Sequence, residues 1–265
     1  MPRAADLLEA ALRRDRLIVA GALALIIVLA WVWLLLGAGM EMSALEMTRM
    51  AGMDGGLMQP AAWTFSYALL MFAMWWVMML AMMLPSAAPV LLLFARVNRG
   101  AKGAGSPLVP TGFFALGYLL VWGGFSAVAV ALQWALERVR LLSPMLETTD
   151  RWLGAAILIT AGLWQLTPLK AHCLRQCRTP LGFLLNRWQA GRAGAVRMGL
   201  EHGAWCLGCC WFLMTLLFFG GVMNLFWIIG LAVYVVLEKT LPVGHWLGRV
   251  AGVALIAAGV ALAAG

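Results

Sequence analysis

The chain alternates long apolar runs with short polar, basic connections. Windows of about 20 apolar residues, the length that crosses a bilayer as helix, fall near 17–37, 63–85, 111–135, 152–170, 199–219, 223–238 and 247–264. The pattern predicts an all-α fold, a polytopic transmembrane helix bundle of about seven spans. Six remains the alternative, because the sixth window is short and runs almost directly into the seventh. The first window follows Arg13, Arg14 and Arg16 as a signal peptide would, but it is too long for a signal core and reads as an uncleaved span. Two connections stand out: a Met-rich loop at 38–62 and a basic segment at 171–198. The expectation is one integral membrane domain over 1–265.

Composition agrees with this pattern. The 265 residues are 64% hydrophobic and 11% charged, with a formal net charge of +8. Soluble domains carry about 25% charged residues. The Lys and Arg are scattered among apolar spans and form no compact basic domain, so nucleic acid is not an expected partner and the lipid bilayer is. Fifteen of the 19 Lys and Arg fall in alternate connections, beginning with the N-terminal segment. The positive-inside rule then puts the N-terminus in the cytoplasm, in what would be a bacterial cytoplasmic (inner) membrane. Pro85 and Pro89 are expected to kink or break the inner end of the second span. Residues 183–197 read as a basic amphipathic segment lying on the membrane surface. No phosphate-binding fingerprint occurs, and five cysteines form no spaced extracellular framework.

The cysteines and histidines carry the candidate chemistry. "EHGAWCLGCCW" opens the fifth span; at about 100° per residue, His202, Cys206, Cys209 and Cys210 share one helix face. "PLKAHCLRQCRTP" ends the fourth, with Cys173 and Cys177 four residues apart and His172 beside them. Nearby Lys170, Arg175 and Arg178 favour thiolates there. Thiolates and imidazole select soft and borderline ions, so all seven residues are candidate metal ligands. The bland reading, cysteines packing as small hydrophobes, suits one such residue better than a group.

The second span presents a methionine stripe, Met71, Met74, Met78 and Met82, on one narrow face, with Met79 and Met83 at its edge. Methionine often merely fills core gaps, but thioethers also select Cu(I). The outer loop adds Met40, Met42, Met47, Met50, Met53 and Met58 as a candidate capture loop, with Glu41 and Asp54 as accessory acids. Glu201 reads as a charge near the helix start, Gln165 and Thr167 as cross-helix hydrogen-bonders, and Glu238 with Lys239 as an interfacial pair.

"MWWVMMLAMMLPSAAP", "PLKAHCLRQCRTP", "EHGAWCLGCCWFLM" and "GGVMNLFWIIGLAVYVVLEK" together resemble the bacterial domain of unknown function 2182 family, over roughly 63–255. That resemblance implies a predicted metal-binding integral membrane protein; it implies no reaction, direction or metal. The expected function is non-enzymatic handling of a soft metal, Cu(I) first, with Zn or an iron–sulfur cluster as alternatives. Transfer, delivery and transport all stay open, and a metallochaperone or metalloenzyme is the expected partner. Two other functions compete: a membrane thiol–disulfide oxidoreductase, and a structural or assembly subunit of a membrane complex.

Overall fold

The computed structural model describes residues 4–40, 42–50, 62–100, 108–143 and 146–265, with the side chains of 4–13, 15 and 100 outside that description. Met53, Met58, Glu41 and Asp54 lie outside the described residues. Among the described residues the chain is helical throughout: α1 (Ala4–Leu35), α2 (Ala44–Met50), α3 (Phe65–Gly100), α4 (Leu108–Arg138), α5 (Arg151–Leu166), α6 (Pro168–Arg178), α7 (Pro180–Arg187), α8 (Gly191–Gly220), α9 (Leu225–Thr240) and α10 (Gly244–Ala264). The only pairing of extended backbone among them is one bridge, Leu142 with Thr148.

Among the described residues, five helices are long and apolar enough to cross a membrane: Arg16–Leu35 of α1, Phe65–Arg99, Leu108–Arg138, Gly191–Gly220 and Gly244–Ala264. A sixth crossing forms if α5 and α6, bent by 65° at Thr167, count as one. The window at 223–238 becomes α9, whose 16 residues are short for a span. Leu25, Val28, Leu29, Phe226, Val250 and Val253 point outward, as lipid-facing positions should. The protein is therefore a helical membrane bundle.

Connections tie the helix ends into two opposite faces. At one, Trp63 donates to Glu137 near the end of α4, Thr148 N–H to Phe218 O in α8, and Leu225 N–H to the Thr48 hydroxyl of α2. Here Ser43 and Glu46 form a capping box on α2, and the Ser43 hydroxyl and N–H hold the Glu46 carboxyl below the usual carboxylate range. At the other face, Arg178 donates to Leu241 O and Pro242 O (2.5 and 3.0 Å), clasping the end of α6 to the turn between α9 and α10.

Several local expectations are corrected. α3 runs unbroken through Pro85 and Pro89 to Gly100. Just before Pro85, the Met83 carbonyl accepts from the Ser86 and Tyr118 hydroxyls, so tertiary partners support the backbone there. The break comes instead at Thr167, where Pro168 starts a new helix capped by the Thr167 hydroxyl. The stretch 183–197 is divided: Phe183 and Leu184 of α7 are buried, and residues from Gly191 onward are the first turns of α8. Glu201 consequently sits well inside α8 and meets Arg187 and Arg197 at 3.4 and 3.6 Å.

α4 and α8 pack backbone to backbone. A Cβ on Gly199 would meet Phe114 O at 2.0 Å, and one on Gly117 would meet Val196 O at 2.2 Å. Small residues let membrane helices approach this closely, and dispersion then acts over the full seam. That seam brings Tyr118 of α4 against the cysteine-bearing turns of α8.

Candidate metal centre

α8 presents Cys206, Cys209 and Cys210 to the interior, each at most 1% exposed. They begin fifteen residues after Gly191, so they lie about 22 Å along the helix axis. Cys177, near the end of α6, approaches from the side with its Sγ 4.0 Å from Cys209 Sγ. Cys209 Sγ lies 3.2 Å from Cys210 Sγ and donates to Cys206 O at 3.1 Å. Cys177 and Cys210 both lie within interaction range of Cys206. All five cysteines are free thiols. Two thiolates at ~2.3 Å from a tetrahedral ion stand about 3.8 Å apart, so these separations are of ligating scale. Among the described residues, no group of three or more Cys, His, Asp or Glu is already set in metal-holding geometry. The thiols are closed on one another by hydrogen bonds.

Two polar groups reach Cys206 directly. Lys239 Nζ donates to its Sγ at 3.0 Å and to Ser86 Oγ at 3.1 Å. Tyr118 OH lies 3.1 Å from the same sulfur and 3.2 Å from Met83 O. Helices α4 and α9 thus each place one group on a single thiol of α8, and α3 braces both groups through Ser86 Oγ and Met83 O. A lysine 7% exposed in an apolar bundle is costly unless answered by an anion or a strong acceptor, and here sulfur is its neighbour.

The other expected ligands go elsewhere. Cys173 faces Gly208, where an added Cβ would stand 2.8 Å from its Sγ, and it touches no other thiol among the described residues. His172 is exposed, beside Arg175 (3.4 Å) and edge-on to Trp205. His202 is 3% exposed inside an aromatic box of Phe114, Tyr118 and Phe183, with ring centroids 5.4–6.1 Å away, and its Nδ1 has no partner. Met71, Met74, Met78 and Met82 are fully buried along α3. Met40 and Met47 pack partly buried against the core, and Met42 and Met50 are half-buried.

Glu238 and Lys239 are not the interfacial pair expected. They are 0% and 7% exposed and turn to different partners. Glu238 pairs with Lys170 of α6, itself 2% exposed, and accepts from Tyr234 OH at 3.1 Å. Gln165 donates to Tyr234 OH at 3.0 Å, the cross-helix bond expected of it, whereas Thr167 serves α6 as a cap. The sequence did carry a signal for this: charged residues within an apolar run are functional candidates by default.

Fold and site together define the class: a multi-helix membrane bundle with a buried group of thiols. The chain belongs to the PpoB2 family, described as a copper chaperone; the family model matches residues 72–262. That range holds all four clustered cysteines and both buried lysines. It supports a copper-related family, and the family name expected from the motifs is not part of the match. No curated protein and no solved structure matches the chain.

Proposed function

We propose that this protein is a membrane-embedded copper chaperone that carries Cu(I) on the sulfurs of Cys177, Cys206, Cys209 and Cys210. The observation that carries the reading is the convergence of these thiols, from two helices, beneath a buried ammonium. Soft thiolates prefer Cu(I) to hard ions. A Cu(I) ion held by two thiolates bears one net negative charge, and Lys239 beside Cys206 supplies one positive charge. The complex can then sit neutral in a low-dielectric interior, with the thiol protons leaving as the metal enters. Met71, Met74, Met78 and Met82 would pass the ion along α3 from the face bearing Met40 and Met47. The basic connections argue that the N-terminus and the Arg178 face are cytoplasmic, in a bacterial inner membrane. A metalloenzyme or soluble metallochaperone would take the cargo by thiol exchange.

The test is anaerobic metal analysis of purified wild type beside Cys206→Ser/Cys209→Ser after loading with Cu(I). Binding of about one ion per chain, lost in the variant, supports the reading. Equal copper in both proteins would refute it, and reversible two-electron thiol oxidation without metal would favour redox chemistry instead.

A further inference from the structure

At the face away from Arg178, a buried amide stands between a thioether and a carboxylate. Gln133, 0% exposed, donates through Nε2 to Met71 Sδ at 3.5 Å and to Glu137 Oε1 at 2.8 Å. Its orientation is chemically determined. Trp75 Nε1–H donates to Gln133 Oε1 at 2.8 Å, and an indole N–H can only donate, so the oxygen must face Trp75 and the NH₂ must face the two acceptors. The other Glu137 oxygen accepts from Trp63 Nε1 at 2.6 Å. Both hydrogen bonds to the carboxylate come from neutral donors. Among the described residues no lysine or arginine pairs with it, and Arg138 next to it lies over the Trp134 ring instead.

We infer that Met71 and Glu137 form a receiving site for a monovalent soft cation, Cu(I), at the head of the methionine stripe. The inference rests on the copper reading above and adds residues to it. The two acceptors converge on Gln133 Nε2, so an ion that displaced the amide nitrogen would be bound by both. Thioether sulfur discriminates against hard cations such as Mg²⁺ and Ca²⁺. One carboxylate neutralises one positive charge, so a divalent ion would leave an excess in a half-buried site. Gln133 is the positioning residue: it holds both acceptors together while Trp75 fixes its orientation, and its amide rotates away as a unit when the ion enters. Met71 precedes Ser86 by fifteen residues on α3, about 22 Å along the axis, so this site is distinct from the thiols.

The test uses the purified full chain labelled with ¹³C-methyl methionine and titrated with Ag(I), a redox-inert stand-in for Cu(I). Met71→Leu assigns the Met71 resonance. That resonance should shift once the thiols are filled. In Glu137→Gln, which keeps an acceptor for Trp63, the midpoint of the shift should rise at least about tenfold. A Met71 signal that never moves, or moves identically in Glu137→Gln, overturns the site. Cysteine alkylation run alongside separates the two proposals: thiols left unprotected by Ag(I) while Met71 shifts would remove the thiol reading and keep this one.

Discussion

Lys170 and Lys239 are both buried, both face α9 or lie on it, and are answered differently. Lys170 meets the Glu238 carboxylate, which Tyr234 and Gln165 brace from behind. Lys239 meets the sulfur of Cys206 and the Ser86 hydroxyl. The first pair balances its charges as it stands. The second is complete only when sulfur carries the negative charge. On the proposed copper reading, one lysine is part of the framework and the other answers the bound ion.

Five changes would break or sharpen that contrast. The largest effect belongs to Cys206→Ser/Cys209→Ser, which should abolish copper retention in anaerobic metal analysis while Lys170–Glu238 keeps the bundle folded. Next, Glu238→Gln should cost about 3–5 kcal/mol of stability, measured by denaturation in detergent, because it strands the Lys170 charge. Replacing both partners together, Lys170→Met/Glu238→Leu, should cost far less. Equal losses in the single and double variants would show that the pair is not the unit of stability. Lys239→Met should leave unfolding little changed and weaken Cu(I) about 10–100-fold in competition with a chelator, the scale of lost support around a metal site. Unchanged affinity would place Lys239 in the framework with Lys170. Smallest is Ser86→Ala, which removes one acceptor from Lys239 at a cost of about 1 kcal/mol; chelator competition should shift by only a few-fold.

The sequence shows the bundle clearly and the site only in part. The apolar runs at 111–135 and 247–264 become α4 and α10 with ends shifted by a few residues, because hydropathy alone marks them out. The run at 63–85 understates α3, since proline was weighed as a breaker while Ser86 and Tyr118, which support the backbone beside it, are distant or unreadable partners. Helical spacing brings Cys206, Cys209 and Cys210 to one face and also predicts His202 there. The structure turns the His202 ring into an aromatic box, a difference that depends on Phe114 and Phe183 from other helices. Lys239 and Tyr118 could not be assigned to Cys206 from spacing, because each reaches it across more than thirty residues of chain.

The clustered thiols belong to two segments that pack on each other: Cys177 lies in the last turn of α6 and the other three sit on α8. An ion shared between them is a removable cross-link around the stretch from 177 to 206. A ligand that binds only the folded form adds about 4 kcal/mol when present at 1,000 times its Kd. Loaded chains should then resist proteolysis between α7 and α8 more than empty ones. On the proposed copper reading, carrying and unloading are thereby opposed in one device: whatever takes the copper would first compete for a sulfur, and each sulfur it won would loosen the carrier that held the rest.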